Sequence, residues 1–222
     1  MFDQLKTIVC EQNKRLPKDG LVILSEGNVS QITEDRKYFV IKPSGIEYDE
    51  LTPKNMVVVD MEGRIVEGNL RPSTDTPTHL EIYRRFPEIG GITHTHSPYA
   101  TMFAQMKKPI PCYGTTHADA FYGDVPVTRD LAHEEIFTHY ELYTGKAIAE
   151  ILDPSKHRCV LVASHGPFAF GKDAKEAVHN ACILEKVAMM AILATPNTPV
   201  SASLIKKHYE RKWGQNKYYG QN

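Results

Sequence analysis

The sequence lacks the features that mark several broad classes of protein. No apolar run approaches the roughly 18 to 20 residues that a membrane-spanning helix needs, so we expect no membrane segment. The 26 basic and 27 acidic residues leave a net charge of −1, which argues against a general binder of nucleic acid or membrane surfaces. The four cysteines are scattered without a C-x-x-C pair, and no apolar signal-peptide core opens the sequence. We therefore expect a protein of the reducing cytoplasm.

The composition is that of an ordinary globular domain. Of the 222 residues, 41% are hydrophobic and 24% charged, and neither a repeat nor a low-complexity linker divides them. We expect a single domain over residues 1–222. Apolar periodicity predicts helices at residues 2–15, 77–86, 98–104, 173–194 and 201–213, and strands at residues 21–24, 38–41, 57–60, 65–67 and 158–163.

Two histidines, His94 and His96, end a short apolar stretch that leads into a predicted helix. On a strand, alternate residues face the same way, so the two Cβ atoms would lie roughly 6 to 7 Å apart on one side. Two imidazoles at that separation can converge on one metal ion. The alternative is that one histidine packs inside while the other titrates at the surface.

Two turns carry residues that suit an anion. Gly27 and Asn28 tolerate positive φ and can leave backbone N–H groups pointing outward. Lys42, Ser44 and Gly45 combine a cation, a hydroxyl and a close backbone approach, as a phosphate cradle does. Plain turns with nothing bound explain the same residues.

A third turn comes just before the helix that starts near Pro77. Because helix N-termini attract anions, a phosphate could sit at Ser73 and Thr74. Asp75 could belong to the same site, or it could be a helix-capping residue.

Four further positions carry residues that are typical of binding or catalysis. His165 ends an apolar strand, where a third metal ligand or a structural histidine would fit. Asp119 falls in a predicted loop, and loops carry much of protein chemistry. His208 and Arg211 share one side of the last predicted helix. The basic residues of this helix could bind a small anionic ligand, or they could form an ordinary solvated face.

Seven short motifs, taken together, resemble the class II aldolase and epimerase family, in particular its L-ribulose-5-phosphate 4-epimerases. The motifs are residues 27–30, 42–45, 72–76, 94–97, 115–119, 164–168 and 218–221. Each motif alone is weak, but all seven occur in the family's order over almost the whole chain. Two positions depart from the family pattern: Glu26 stands where many relatives have tryptophan, and Thr74 replaces a serine.

The resemblance implies an α/β fold, specifically a three-layer α/β/α domain with a mixed, largely antiparallel central sheet. It also implies a homotetramer with active sites between adjacent subunits, which the C-terminal helix and tail at residues 201–222 would reach. It implies a divalent metal ion, with zinc favoured by three imidazole ligands and manganese or cobalt as alternatives. By position, the metal-site residues are His94, His96, His165 and Asp75.

The same resemblance implies a small phosphorylated sugar as substrate. Asp119 matches the family's proton-transfer carboxylate, and Tyr219 from a neighbouring subunit matches its partner. His208 and Arg211 match second-subunit residues near the phosphate or the proton-transfer site. The phosphate-site positions are Gly27, Asn28, Ser44, Gly45, Ser73 and Thr74, with Lys42 close by.

The implied activity is epimerisation of the fourth carbon of L-ribulose 5-phosphate by retro-aldol cleavage and re-addition. In the aldolase branch of the family a glutamate takes the position of Asp75 and acts as the acid/base. The shorter Asp75 suits support of the metal ion better, so the epimerase ranks first and an aldolase acting on a related ketose phosphate ranks second. A metal-free binding module, like the adducin head, would require a broken histidine set. The pathway stays open between arabinose use and catabolism of ascorbate or related sugar acids.

Overall fold

An antiparallel sheet forms the centre of the structure, a computed structural model that describes residues 2–194, 198–215 and 217–219. Its seven strands lie in the order β4-β3-β2-β1-β5-β7-β6. All ladders between these strands are antiparallel, and one isolated bridge, between Val127 and Leu161, is parallel. The strands are β1 (Asn28–Ile32), β2 (Tyr38–Ile41), β3 (Val57–Asp60), β4 (Ile65–Glu67), β5 (Gly91–His94), β6 (Cys159–Leu161) and β7 (Pro167–Gly171).

Helices cover both faces of the sheet because successive strand residues point to opposite sides. On β2, Val40 packs in one apolar cluster and Phe39 in the other. The first cluster includes residues of α1, α3 and α6, and the second includes residues of α2 and α5. The predicted three-layer fold is confirmed. The helices are α1 (Asp3–Lys18), α2 (Thr76–Arg85), α3 (Pro98–Met106), α4 (Thr115–Ala118), α5 (His133–Ile151), α6 (Ala174–Leu193) and α7 (Ala202–Trp213), with a 3₁₀ turn at Pro53–Asn55.

The predicted strand at residues 21–24 is wrong. Leu21 and Val22 are buried in the core, but Ile23 is 68% exposed and Leu24 is 73% exposed. Leu24 has φ +50°, and the backbone N–H of Glu26 bonds the carbonyl of Ile23, so the second half of the run is a turn. Four adjacent apolar residues suggested a buried strand, whereas only two of them reach the core.

Other differences from the sequence prediction affect single elements. Residues 115–118 form the short helix α4 where a loop was expected, so Asp119 follows a helical turn. Helix α2 begins at Thr76, one residue before the predicted start, so Asp75 stands at its N-cap position. Residues 220–222, at the end of the predicted C-terminal tail, lie outside the described residues. No helix in the described part of the chain is long and apolar enough to cross a membrane.

Candidate active site

Three histidines converge at one end of the sheet. His94 is the last residue of β5, His96 lies two residues beyond it, and His165 lies in the turn between β6 and β7. One ring nitrogen from each of the three lies within 4.8 Å of the others. The Nε2 atoms of His94 and His96 are 3.2 Å apart. Residues from two separate parts of the chain thus form a cluster whose spacing suits one metal ion.

Sheet register explains how these side chains meet. β5 lies between β1 and β7, so His94 has Asn28 opposite it on one side and Phe168 on the other. The His94 ring stacks on Phe168 with centroids 4.2 Å apart. A Cβ atom at Gly166 would lie 2.7 Å from the carbonyl oxygen of Thr95, so only glycine lets the two turns approach this closely.

Each imidazole has a partner on its outer side. The Nδ1–H of His94 donates to the carbonyl oxygen of Pro167 at 3.0 Å, which leaves the Nε2 lone pair facing the cluster. His165 Nδ1 lies 3.2 Å from the hydroxyl of Tyr140, and His96 Nδ1 lies 3.5 Å from a carboxylate oxygen of Glu26. Such outer partners orient the imidazoles of metal sites.

Burial keeps two of the imidazoles in the form that a metal ion requires. It lowers the pKa of His94, and it lowers the pKa of His165 to about 4, assisted by the neighbouring His94. Both rings are therefore neutral at neutral pH and carry a free lone pair. Because metal ligation needs neutral imidazoles, the donor set fits a divalent cation such as zinc.

Asp75 presents its carboxylate to the same cluster. Its Oδ2 accepts a hydrogen bond from Asn28 Nδ2 at 2.7 Å and lies 4.0 Å from His94 Nε2. Although Asp75 stands at the N-cap position of α2, its side chain makes no capping hydrogen bond. Burial raises the pKa of Asp75. The nearby imidazoles of His94, His79 and His165 lower this pKa by more than burial raises it, so the net shift is downward. The carboxylate is ionised and is aimed at the histidines.

The predicted anion-binding turns adjoin the histidines. The turns at residues 42–45 and 71–74 are held together by hydrogen bonds from Ser44 N to Arg71 O and from Ser73 N to Lys42 O. Asn28 links this pair to the Asp75 carboxylate, since its Nδ2 also donates to Ser73 Oγ. We call the resulting cavity of about 380 Å³ the histidine pocket; its lining includes Glu26, Gly27, Asn28, Lys42, Ser44, Gly45, Ser73, Thr74, Asp75, His94, His96, Tyr140, Glu141 and His165.

Lys42 is the cation of the histidine pocket. Its side chain is buried, and its Nζ donates to the carbonyl oxygen of Ser25 at 2.9 Å and lies 4.9 Å from the centre of the Tyr48 ring. Burial lowers the pKa of Lys42 to about 8, although Glu47 opposes the shift. The ammonium group is therefore largely charged at neutral pH and loses its charge in mildly alkaline solution.

The predicted proton-transfer residues form a second group, which we call the Asp119 cluster. It consists of Asp119, His208, Arg211, Trp213 and Tyr219. Arg211 donates two hydrogen bonds, of 2.9 and 2.6 Å, to the Asp119 carboxylate, and His208 Nδ1 lies 2.9 Å from the same carboxylate. Trp213 donates to the backbone carbonyl of Asp119, and the Arg211 guanidinium lies 4.8 Å from the centre of the Tyr219 ring.

The Asp119 cluster holds its carboxylate in the ionised form. Burial raises the pKa of Asp119, but hydrogen bonds from Arg211 and His208 outweigh it and hold the pKa below its usual range. The contacts of His208 and Arg211 with Asp119 are within one chain, where a second-subunit role had been expected. Whether they also serve a neighbouring site stays a prediction.

The two groups are separate within one chain. None of the members of the Asp119 cluster is among the described residues that line the histidine pocket. A larger cavity of about 630 Å³ lies beside the β3–β4 hairpin, but its lining has only Asp60 and Glu62 as candidate ligands, and Arg64 pairs with both. The histidine pocket is the better candidate because the metal-type donors and the anion-binding turns meet there.

Sequence reasoning missed two neighbouring residues of this pocket, Tyr140 and Glu141, which lie on α5. The hydroxyl of Tyr140 contacts a histidine 25 residues away in sequence. Nothing local marks such a contact. Glu26, by contrast, was visible as a departure from the family pattern, and the structure places it beside His96.

The α/β fold brings a histidine cluster at one end of the sheet next to two turns whose residue types suit an anion. The family model described as Class II Aldolase and Adducin N-terminal domain matches residues 7–192. The chain belongs to this family.

Solved structures of similar fold include two aldolases. An L-fuculose 1-phosphate aldolase is 26% identical with a TM-score of 0.81, over 94% of this chain and 95% of its own. The L-fuculose-1-phosphate aldolase of Thermus thermophilus is also 26% identical, with a TM-score of 0.70, over 88% and 97% of the two chains. YgbL of Escherichia coli, whose suggested classes are aldolase, epimerase and decarboxylase, is 22% identical with a TM-score of 0.78, over 92% and 97%.

Proposed function

We propose that this protein is a metal-dependent L-ribulose-5-phosphate 4-epimerase, which converts L-ribulose 5-phosphate into D-xylulose 5-phosphate. One observation carries the proposal: a single cavity joins three histidines and an aspartate to two turns and a lysine suited to a phosphate. An intact histidine set argues against a metal-free binding module on this fold.

The chemistry requires a carbon–carbon bond to break. The fourth carbon of the substrate is not adjacent to the ketone, so removal of its hydrogen as a proton would leave a charge that the carbonyl cannot stabilise. Cleavage between the third and fourth carbons instead leaves the enediolate of dihydroxyacetone and the aldehyde glycolaldehyde phosphate. The aldehyde turns its other face, and re-formation of the bond inverts the centre.

The histidine pocket provides for the charge and for the phosphate. A divalent ion held by His94, His96 and His165, with zinc as the proposed ion, would supply the positive charge that stabilises the negative oxygen developed on cleavage. Lys42 would balance the phosphate charge, while the hydroxyls of Ser44, Ser73 and Thr74 would donate hydrogen bonds. This hold would keep the aldehyde in the site while it turns.

The Asp119 cluster would handle the proton of the fourth hydroxyl. Inversion requires proton transfer on two opposite faces of the aldehyde, which Asp119 and Tyr219 would serve as an acid–base pair. Since neither lines the histidine pocket of its own chain, we propose a homotetramer with shared sites, in which Asp119 and Tyr219 reach one site from different chains. The free thiols of all four cysteines support a cytoplasmic location.

An aldolase reaction is the second candidate, because the two fuculose-phosphate aldolases share the fold at 26% identity. The state of Asp75 favours the epimerase. Its carboxylate is partly buried, bonded to Asn28 and turned toward His94, which suits support of the metal ion more than proton exchange with a substrate. We therefore rank the lyase reaction second.

A product assay separates the two reactions. Purified protein loaded with zinc should convert L-ribulose 5-phosphate into D-xylulose 5-phosphate without release of fragments. Net accumulation of dihydroxyacetone and glycolaldehyde phosphate would instead identify a lyase, and the absence of either product would overturn the proposal. His179→Ala, at an exposed position on α6, is the matched control for the ligand variant His165→Ala.

A further inference from the structure

We propose that Glu26 is a positioning residue of the metal site, whose carboxylate orients His96 and raises the affinity of the histidine cluster for a divalent cation. The inference rests on the metal site of the proposed function, and it does not depend on which sugar the enzyme uses. It assigns a role to the position at which this chain departs from its family's pattern.

The geometry puts Glu26 on the outer nitrogen of His96. A carboxylate oxygen, Oε2, lies 3.5 Å from His96 Nδ1, while His96 Nε2 faces His94 Nε2 at 3.2 Å. A neutral imidazole carries its proton on one nitrogen only. A carboxylate beside Nδ1 favours the proton there, which leaves the Nε2 lone pair directed at the cluster.

Glu26 is itself held in place by the turn that replaces the predicted strand. Its backbone N–H bonds the carbonyl of Ile23, and its second carboxylate oxygen, Oε1, accepts the backbone N–H of Ile23 at 3.2 Å. The hydroxyl of the buried Tyr48 donates to the Glu26 carbonyl at 2.6 Å. Anchoring one oxygen to the turn directs the other toward His96.

His96 needs such a partner more than His94 does. The side chain of His96 is 37% exposed, whereas that of His94 is 2% exposed and is stacked on Phe168. The outer partners of His94 and His165 are a carbonyl and a hydroxyl, so Glu26 is the charged one of the three. A carboxylate increases the basicity of the imidazole more than a neutral acceptor does, and it orients a ring that packing holds least.

The same contact explains why an acidic residue lines a pocket suited to anions. An unpaired carboxylate there would repel a phosphate dianion. Glu26 instead directs its charge toward His96 and the metal site, which would carry positive charge when occupied. Solvent reaches both side chains, so the benefit should fall in the lower part of the range usual for such partners.

Metal affinity measured without any sugar tests the inference. The apo protein competes with a chromophoric chelator for Zn²⁺ at fixed pH, and the dissociation constants of four proteins are compared: wild type, Glu26→Ala, Glu26→Gln and Glu62→Gln. Glu26→Ala should weaken affinity by about 10-fold. Glu26→Gln should lose less than the alanine variant, because its one amide oxygen must serve both the Ile23 N–H and the His96 N–H. Glu62→Gln, at an exposed hairpin carboxylate, should bind as wild type does.

A double-mutant cycle separates action through His96 from a general effect on the turn. In a His96→Ala background, Glu26→Ala should cause no further loss of zinc affinity, and the apo proteins should unfold at similar temperatures. Unchanged affinity of Glu26→Ala, or an equal loss with and without His96, would overturn the inference. Failure of the wild type to bind zinc would overturn the metal site itself, whereas normal binding with no epimerase activity would overturn only the proposed reaction.

Discussion

The histidine pocket and the Asp119 cluster are built in different ways. Asn28 and His94 of the histidine pocket stand on β1 and β5, two inner strands of the sheet whose residues are mostly buried. Most of the Asp119 cluster stands on or after α7, a helix with no fully buried residue. Ion pairs to Asp119 and a ring contact between Trp213 and Arg158 hold that helix against the domain. One region is fixed by packing, and the other is attached by charge.

The two regions also differ in the charge state of their side chains. Burial keeps the imidazoles of His94 and His165 neutral in the histidine pocket, so their lone pairs are available to a ligand from outside. In the Asp119 cluster the charges already satisfy one another, since Arg211 and His208 bind the carboxylate. The first region is prepared to receive a cation.

The largest expected effect comes from breaking the histidine pocket. His165→Ala should abolish stoichiometric zinc binding and lower kcat/KM by about 10³-fold or more, because several kcal/mol of charge stabilisation are lost. His165 lies in the turn between β6 and β7, outside the helices and strands, so the variant should remain folded by circular dichroism. Metal content by emission spectroscopy and the coupled assay provide the measurement. Full activity in a protein shown to be free of metal would remove the metal from the mechanism.

The Asp119 cluster should matter nearly as much to the reaction if it belongs to the active site. Asp119→Asn should lower kcat by about 10²-fold, the lower limit usual for loss of a general acid or base. Asp60→Asn is the matched control, because Asp60 also pairs with an arginine but lies on the β3–β4 hairpin. Activity equal to that of the control would show that the Asp119 cluster only holds α7 in place and takes no part in the reaction.

Mixed oligomers test whether the two regions meet across subunits. Co-refolded Asp119→Asn and Tyr219→Phe chains should recover activity above that of either variant alone only if the two residues serve one site from different chains. The activity of the mixture is compared with the mean of the two separate variants. A mixture no more active than that mean contradicts the proposed division of the acid–base pair between subunits.

The pH dependence of kcat/KM should show an effect of intermediate size from Lys42, the lysine of the histidine pocket. Burial lowers the pKa of Lys42 to about 8, so its positive charge is present below pH 8 and is lost above it. Phosphate binding should therefore weaken as pH rises through 8, with a fall in kcat/KM of about 10-fold for one charged hydrogen bond. Because kcat/KM reports the free enzyme, Lys42→Met should be low at all pH values and lack this step. A step that persists in Lys42→Met belongs to another group.

The smallest effect concerns how firmly α7 is attached. Trp213→Phe keeps a ring over Arg158 but loses the hydrogen bond to the Asp119 carbonyl, which should lower the free energy of local opening by about 1 kcal/mol. Hydrogen exchange should quicken in α7 while exchange in β5 stays unchanged. An equal change in both would show that α7 belongs to the same cooperative unit as the sheet.

Much of the fold could be predicted from the sequence because the signals for those elements are local. The apolar spacing of α6, the hairpin of β3 and β4, and the Pro77 and Pro98 helix starts all lie where the sequence predicted them, within a few residues. The failure at residues 21–24 has a clear cause: burial depends on what packs against a segment, and Ile23 and Leu24 find no covering layer in the described chain. Short apolar runs carry no information on that point.

The sequence by itself determined the residue types of the site, namely three histidines, an aspartate and turns rich in glycine and hydroxyls. Only the tertiary structure decided which of them meet. Antiparallel register set Asn28 beside His94, the turn after β6 brought in His165, and an unexpected turn aimed Glu26 at His96. The reason is physical: side-chain identity is written residue by residue, whereas proximity between distant residues arises from packing and strand pairing over the whole chain.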